Sequence, residues 1–282
     1  MTTSPTVPFR DGRAIPQLGY GVWQVENEVA ADVVVKALEA GYRHIDTARG
    51  YNNEAGVGEA LRRAGLPRDE VFVTSKVPNQ DQGRDATLRS FDATMKDLGL
   101  DELDLYLIHW PAPSKGLAGE TWKALIELQE QGRIRSIGTS NFRIEDLEKL
   151  KAETGVLPVL NQIELHPYFS QKELREVHAE KGIVTEAWSP LGQGGGELSD
   201  PVVTAIAEAH GATPAQVLIA WNLAIGNVTI PKSVTPERIV QNFASLEVTL
   251  TEDEVAQISA LDKGADGRQG GHPDQFAGHQ GA

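Results

Sequence analysis

Short apolar runs alternate along this chain with longer segments in which hydrophobic residues recur at helical spacing. "VFVTSK" at 71–76 is one such run, and "ETWKALIELQEQG" at 120–132 is one of the amphipathic segments. Strands separated by crossover helices are typical of parallel sheets. The predicted carboxyl ends of the strands are Gly21, Asp46, Lys76, His109, Asn141, Glu164, Ser189 and Lys232. Eight such units predict a (β/α)8 barrel as a single domain over 1–282, with a doubly wound sheet as the alternative.

The two ends of the chain differ from this alternation. In residues 1–17, Asp11-Gly12 lies between two short apolar stretches, which predicts a β-hairpin ahead of the barrel. Residues 264–282 are rich in glycine. We expect them to form either a disordered tail or a loop over the active-site mouth of the barrel.

An uncharged run at 211–231 is nominally long enough to span a membrane. However, Thr213 and Gln216 form a capping box with Pro214 at the first helical position, and Gly226 suits a helix stop. The segment is therefore predicted to be a short buried helix followed by a strand.

Charge and cysteine content exclude several classes of protein. The 282 residues carry a formal net charge of −14, which argues against binding to nucleic acid or to an anionic membrane. Because the chain has no cysteine, disulfides, thiolate metal sites and a cysteine nucleophile are excluded, and no metal site is predicted. The first residues lack the apolar region of a signal peptide, so we expect a cytoplasmic protein whose partner is a small molecule.

The stretch "DLYLIHWPAP" at 104–113 leads an apolar strand out to His109 and Trp110 and then stops at two prolines. A lone buried histidine is commonly structural. However, Asp46, Lys76 and His109 end three consecutive predicted strands, and the carboxyl ends of barrel strands carry active sites. Packing alone explains three such ionisable groups poorly, so a catalytic cluster is predicted.

Tyr51 follows Asp46 in the next loop and completes this cluster. We expect the Lys76 ammonium to lower the pKa of Tyr51, and Asp46 to hold Lys76 in place. His109 would donate to a substrate oxygen or share the phenol proton. These four residue types predict a proton donor aimed at a carbonyl oxygen.

Reduction of a carbonyl also needs a hydride source. The dinucleotide fingerprint G-x-G-x-x-G is incomplete at both partial matches, "GVGEAL" at 56–61 and "GQGGGE" at 192–197. A nicotinamide cofactor would therefore have to bind without a Rossmann turn.

Seven segments together resemble the successive motifs of the aldo-keto reductase family. They are "HIDTARGYNNEAGVG", "VTSK", "LDLYLIHWP", "IRSIGTSNF", "NQIELHP", "WSPLGQG" and "IPKSVTPERIVQN". Within the family, the chain is most similar to the bacterial 2,5-diketo-D-gluconate reductases. The resemblance implies a (β/α)8 barrel, usually monomeric, that uses NADPH to reduce aldehydes and ketones, including dicarbonyls, keto-sugar acids and methylglyoxal-like substrates, to alcohols.

The resemblance also implies a role for each matching residue. Tyr51 matches the proton donor, Lys76 and Asp46 the pair that tunes it, and His109 the residue that orients the substrate carbonyl. Trp23 and Trp110, with His109, match the walls of the substrate pocket. The residues matching the cofactor site are Ser140, Asn141, Gln162, Trp188, Ser189, Leu191, Gln193, Ile230, Lys232, Ser233, Val234, Arg238, Ile239 and Asn242. Of these, Lys232 and Arg238 provide the cations that a phosphate site after the last barrel strand requires.

The chain departs from the family pattern in four places. Asn52 replaces the usual glycine after the proton donor, and we expect it to tolerate a left-handed backbone. Arg49 is predicted to face solvent, with a bias toward carboxylated substrates as the alternative. The short "PAPSKG" at 111–116 predicts an open pocket. The tail from 267 to 282 aligns only loosely.

Two other functions stay open at this point. One is a redox-sensing regulatory subunit that binds the cofactor mainly to modulate a partner. The other is a pyridoxal-phosphate barrel enzyme with Lys76 or Lys232 as its Schiff base.

Overall fold

Strands and helices alternate through nearly all of the computed structural model, which describes residues 3–276. The strands are β1 Thr6–Pro8, β2 Ala14–Pro16, β3 Tyr20–Gly21, β4 His44–Asp46, β5 Phe72–Val77, β6 Leu103–Ile108, β7 Ile134–Ser140, β8 Leu160–Glu164, β9 Val184–Trp188 and β10 Val228–Thr229. The α-helices are α1 Asn27–Ala40, α2 Glu54–Ala64, α3 Arg84–Leu98, α4 Ala118–Glu130, α5 Ile144–Thr154, α6 Lys172–Lys181, α7 Pro201–His210, α8 Pro214–Ala224, α9 Pro236–Phe243 and α10 Glu252–Ser259.

Strands β3 to β10 form one parallel sheet in which each strand pairs with its neighbour in sequence. Backbone hydrogen bonds join the first and last strands. The Gly19 N–H donates to the Thr229 carbonyl at 2.9 Å, and the Thr229 N–H donates to the Gln17 carbonyl at 2.9 Å. The sheet is therefore closed, which confirms the predicted (β/α)8 barrel and excludes the doubly wound alternative.

The N-terminal hairpin covers the inside of the barrel at the end opposite the strand carboxyl ends. β1 and β2 pair antiparallel, with Val7 opposite Ile15, and the predicted turn at Asp11-Gly12 lies between them. Ile15 is fully buried in a cluster with Leu105 and Leu107. Because the hairpin closes this end with apolar side chains, the polar interior lies towards the other end.

Period-two alternation along the strands decides which side chains enter the barrel. In β6, Leu105 and Leu107 face the interior, whereas Tyr106 faces the helices and packs against Phe91 with ring centroids 5.2 Å apart. His109 follows β6 in the same alternation as Leu107. It is therefore placed on the interior side, where the strand leaves the core.

The uncharged segment 211–231 folds as predicted. Thr213 and Gln216 form the capping box of α8, which ends before Gly226, and β10 follows. Four other helices, α1, α2, α4 and α6, are also followed by glycines with positive φ: Gly41, Gly65, Gly132 and Gly182. Within residues 3–276, no helix combines the length and apolar character needed to cross a bilayer.

Two helical glycines provide a matched test of the packing around the barrel. A Cβ on Gly58 in α2 would lie 2.8 Å from the Asp97 carbonyl oxygen of α3, which is backbone and cannot move aside. A Cβ on Gly119 in α4 would meet only the carboxyl end of the Glu153 side chain. Gly58→Ala should lower the free energy of unfolding by roughly 2 kcal/mol through overpacking. Gly119→Ala should raise it by about 0.5–1 kcal/mol, because alanine favours helix.

Chemical denaturation of the two variants beside wild type measures both effects. A Gly58→Ala variant as stable as wild type would show that α2 and α3 do not pack this closely.

Candidate active site

A cavity of about 770 Å³ opens where the barrel strands end. Most of the residues predicted from the sequence line it: Trp23, Asp46, Tyr51, His109, Trp110, Ser140, Asn141, Gln162, Trp188, Ser189, Leu191, Gln193, Ile230 and Lys232. Lys76 lies fully buried beneath the cavity wall and contacts Tyr51. The structure therefore brings the four predicted catalytic residues together at one mouth of the barrel.

The rest of the predicted cofactor segment lies outside this lining. Val234 and Arg238 are exposed beyond β10, Ser233 is half-buried, and Asn242 is buried in α9. The Ile239 side chain is fully buried in the hydrophobic core, so it supports α9 and does not face the cavity. Contacts between these residues and a cofactor stay predictions.

Lys76 is the centre of the catalytic cluster. Its Nζ donates to Asp46 Oδ1 at 2.6 Å, to the Thr47 carbonyl at 2.9 Å and to Tyr51 Oη at 3.2 Å. These bonds use all three ammonium protons. The Lys76 side chain therefore has a fixed orientation, in which one ammonium proton is donated to the phenol oxygen of Tyr51.

The ionisation of this cluster differs from the sequence-based expectation. Burial would lower the pKa of Lys76, but the contacts with Asp46 and Tyr51 outweigh it and raise that pKa, so the ammonium stays charged. Burial raises the pKa of Tyr51 above its ordinary value, and the nearby Lys76 charge opposes this only in part. Lys76 therefore acts on the pKa of Tyr51 in the expected direction, but the expected net fall is wrong, because loss of water around the phenol outweighs one ammonium contact. Tyr51 keeps its proton at neutral pH.

His109 lies beside the phenol with its ring edge-on to Tyr51, and the two ring centroids are 5.5 Å apart. Burial, and then the Lys76 charge, lowers the pKa of His109 well below its ordinary value, so the imidazole is neutral. Its Nδ1 is buried and has no hydrogen-bond partner among the described residues. His109 also lines the cavity, so its ring is available to bind a polar atom there.

The turn that carries Tyr51 is held by Asn53, a residue that sequence reasoning missed. Asn53 Nδ2 donates to the carbonyls of Val22 and Val25, each at 2.8 Å, and Thr47 Oγ1 donates to Asn53 Oδ1 at 2.8 Å. Asn52 takes the left-handed conformation expected of it, with φ of 57°.

Arg49, in the same turn, does not simply face solvent as predicted. Its Nη1 forms ion pairs with Glu54 at 3.2 Å and with Asp97 at 2.6 Å, because α2 and α3 bring two carboxylates to it. The guanidinium is therefore engaged outside the cavity.

An indole and three polar side chains form another part of the cavity wall. Trp188 Nε1 donates to Asn141 Oδ1 at 2.8 Å, and Asn141 Nδ2 donates to the His109 carbonyl at 3.0 Å. Ser140 and Gln162 occupy neighbouring register positions on β7 and β8. This wall presents a flat aromatic surface next to amide and hydroxyl groups.

The described part of the glycine-rich tail lies over the mouth of the barrel. Gln269, Gly270, Gly271 and Phe276 line the cavity, and the Phe276 ring lies 4.4 Å from that of Trp110. A side chain at position 270 would collide with the Trp188 indole and approach Glu164 Oε2 to 2.9 Å, so this position requires glycine. Of the two expectations for the tail, the loop over the mouth is therefore confirmed for 269–276; residues 277–282 lie outside the described residues.

Buried carboxylates hold this tail in place. Glu164 accepts hydrogen bonds from the backbone N–H of Gln269 at 2.6 Å and of Gly270 at 3.0 Å. Gln269 Nε2 donates to Glu197 Oε1 at 3.0 Å, and His166 lies between the two carboxylates at 3.2 Å and 2.9 Å. Sequence reasoning identified Glu164 only as a strand end and missed His166 and Glu197. Gln269, which both Glu164 and Glu197 bind, lies about 70–105 residues further along the chain, and no local pattern reports such a contact.

Comparison with known proteins agrees with this geometry. Residues 17–263 match the model of the Aldo/keto reductase family. An aldo-keto reductase of Mycolicibacterium smegmatis is 54% identical over 261 residues, which cover 93% of this chain and 94% of the relative. The methylglyoxal reductase DkgA of Escherichia coli is 49% identical over 281 residues, covering 99% of this chain and 100% of the relative. A crystal structure of a Gox0644 variant in complex with NADPH superposes with a TM-score of 0.92 at 47% identity, covering 96% of this chain and 98% of that one.

A closed barrel with an Asp–Tyr–Lys–His cluster at its mouth defines an oxidoreductase acting on carbonyl groups. The chain belongs to the aldo/keto reductase family.

Proposed function

We propose that this protein reduces small uncharged carbonyl compounds, methylglyoxal-like dicarbonyls in particular, with NADPH. The observation that carries the proposal is the Tyr51 phenol, which faces the cavity, accepts a hydrogen bond from Lys76 and lies beside a neutral His109.

The cavity wall suits a nicotinamide cofactor. The Trp188 indole offers a stacking surface, and Ser140, Asn141 and Gln162 beside it provide the hydroxyl and amide groups that pair with a carboxamide. Lys232 and Arg238 are exposed cations near the end of the barrel, in a chain of net charge −14, and suit a phosphate. When bound, NADPH supplies the hydride that reduces the carbonyl carbon.

The protein's own contribution is the proton. Because Tyr51 keeps its proton at neutral pH, it can donate to the carbonyl oxygen as negative charge develops there. The phenolate left behind faces the Lys76 ammonium at the 3.2 Å contact, which stabilises it. His109 binds the same carbonyl oxygen and holds it towards Tyr51.

The substrate end of the cavity is aromatic and uncharged. Trp23, Gln24, Trp110 and Phe276 line it, and Lys232 is the one Lys or Arg among the described residues of the cavity lining. We assign Lys232 to the cofactor phosphate, and Arg49 is paired outside the cavity. A carboxylated substrate such as 2,5-diketo-D-gluconate would therefore find no cation here, whereas a small neutral dicarbonyl needs none. The similarity to DkgA, named a methylglyoxal reductase, supports this choice.

The Schiff-base alternative does not fit Lys76, because an ammonium with all its protons bonded is not a nucleophile. Cytoplasmic location and a monomeric working form stay predictions that rest on the resemblance and on composition.

Tyr51→Phe should reduce the rate of carbonyl reduction by about 10²–10⁴-fold, because phenylalanine has no proton to donate. Cofactor affinity, measured by quenching of tryptophan fluorescence, should stay within about twofold of wild type. Tyr42→Phe, which removes a phenol from the core outside the barrel, should keep wild-type turnover and serves as the control. If Tyr51→Phe kept more than about a tenth of wild-type turnover, Tyr51 would not be the proton donor. If the protein were a regulatory subunit, wild type and both variants would show little turnover.

Replacing both Lys232 and Arg238 with glutamine should weaken NADPH binding and leave NADH binding nearly unchanged. Charge-assisted hydrogen bonds contribute ~1.5–3 kcal/mol each, so losing two should weaken NADPH binding by about 10²- to 10⁴-fold. The control is Lys149→Gln with Lys172→Gln, two exposed cations on other helices, which changes the net charge equally. Equal loss of both cofactors in the Lys232/Arg238 variant would mean that these side chains do not contact the 2′-phosphate.

Wild type should have a kcat/KM for methylglyoxal at least about tenfold above that for 2,5-diketo-D-gluconate, because the cavity offers the carboxylate no cation. Gln24→Arg adds a cation to the lining and should narrow this ratio, whereas Gln24→Met should not. Steady-state kinetics with both substrates measure the ratio. Equal efficiency in wild type would contradict the preference for uncharged substrates.

A further inference from the structure

A second carboxyl group lies inside the barrel beneath the catalytic cluster. Glu186 occupies β9 two residues before Trp188, on the interior side, and is fully buried. Gln162 is its register neighbour on β8. Gln162 Nε2 donates both to Glu186 Oε2 at 2.8 Å and to Asp46 Oδ2 at 2.7 Å. One amide group therefore links Glu186 to the carboxylate that holds Lys76.

Among residues 3–276, no lysine or arginine forms an ion pair with Glu186. Lys76 is bonded to Asp46, and the nearest other basic group, His44 Nε2, lies 3.7 Å from Glu186 Oε1. Burial, and then the Lys76 charge, lowers the pKa of His44 to about 3, so His44 is neutral. Glu186 Oε1 is buried and has no hydrogen-bond partner among the described residues. A carboxylate oxygen in that position would be an uncompensated charge.

The other groups around Glu186 do not change this conclusion. The ionisable groups that face it are Asp46 and His44 from β4, Lys76 from β5, and Tyr51 above them. β8 and β10 contribute uncharged Gln162 and Val228 at the paired positions. Burial, and then the Asp46 charge, raises the pKa of Glu186 to about 8.

We propose that Glu186 is a positioning residue for the proton donor, working as a neutral acid that anchors Gln162 against Asp46 and leaves Asp46–Lys76 as the single ion pair beneath Tyr51. The inference rests on the proposed function, since it assigns Glu186 an effect on proton donation by Tyr51. With Gln162 anchored, both oxygens of Asp46 are engaged and Lys76 has one orientation. An ionised Glu186 would add a second negative charge, raise the pKa of Tyr51 and weaken it as an acid.

Glu186→Gln tests the charge without removing the hydrogen bond, because the new amide oxygen still accepts from Gln162. At pH about 9, about 90% of a group with a pKa of about 8 is ionised, so wild-type reduction should have declined. At that pH, Glu186→Gln should keep the rate of reduction that it has at neutral pH. When the rate of each enzyme is divided by its own rate at pH about 7, the variant should exceed wild type by about three- to tenfold. The alkaline limb of kcat should move upward by about one pH unit.

Glu54→Gln is the matched control. Glu54 is another buried carboxyl, but its hydrogen bonds go to Ser75, Thr94 and Arg49. This variant should keep the wild-type pH profile. An unmoved alkaline limb in Glu186→Gln would overturn the proposal, as would an equal shift in Glu54→Gln.

Two measurements on cofactor-free protein make the test independent of turnover. The Tyr51 phenol, identified as the tyrosinate absorbance missing in Tyr51→Phe, should ionise at lower pH in Glu186→Gln than in wild type. The infrared spectrum of wild type should show the C=O stretch of a protonated carboxylic acid at neutral pH that disappears as the pH rises through about 8. This infrared measurement uses the wild-type protein, so it does not depend on whether a variant folds. Absence of the band would overturn the proposal.

The results for Tyr51→Phe and Glu186→Gln distinguish the proposed function from the role of Glu186. An active Tyr51→Phe enzyme would contradict the proposed function, whereas an inactive Tyr51→Phe enzyme with an unmoved Glu186→Gln profile would contradict only the role of Glu186.

Discussion

The structure around the site depends on one constraint, the burial of the Lys76 ammonium inside the barrel. A buried charge is tolerated only when it is paired and all its hydrogen bonds are made, and here a carboxylate, a backbone carbonyl and a phenol meet that requirement. All three acceptors come from β4 and the turn after it. The turn must therefore hold one shape, and Asn53 ties it to the Val22 and Val25 carbonyls. The same bonds that satisfy the lysine place the phenol at the cavity.

The ionisation of Tyr51 depends on how few charged side chains lie beneath it in the barrel. In the part of the chain that the structure describes, Lys76 is the one cation beneath Tyr51, and Asp46 pairs with it at 2.6 Å. Low pKa values keep His44 and His109 neutral, so neither competes for a carboxylate. Burial raises the pKa of the phenol, and the lysine then acts on the phenolate that proton transfer leaves behind. Burial next to the Asp46–Lys76 ion pair thus keeps Tyr51 protonated at rest, and Lys76 stabilises its ionised form during the reaction.

A second polar cluster joins the two sides of the cavity. Glu164 binds the backbone of the tail at Gln269 and Gly270, and Glu197, from the segment that follows β9, binds the Gln269 side chain. His166 lies between the two carboxylates; burial alone would lower its pKa, but both contacts raise it, which favours the charged form. The segment after β9, which contains residues that we assign to the cofactor, and the tail over the cavity are therefore held by the same cluster of polar side chains.

Much of this protein could be predicted from its sequence, because the signals are local. Apolar periodicity located the strands and helices, and the capping box at Thr213 marked the start of α8. Parallel strands end at one face, so Asp46, Lys76 and His109 were expected to meet once a barrel was predicted. Tyr51 followed from its distance along the chain to Asp46.

Tertiary structure decided what depends on distant partners and on solvent. Arg49 was expected in solvent but pairs with Asp97, because α3 packs against the turn. The sequence left the tail undecided, and Glu164, far away in the chain, holds it over the mouth. The pKa of Tyr51 was expected to fall, yet it rises, since only the folded barrel shows how much water the phenol loses. A sequence specifies which groups are present, but the balance between desolvation and charge pairing exists only in three dimensions.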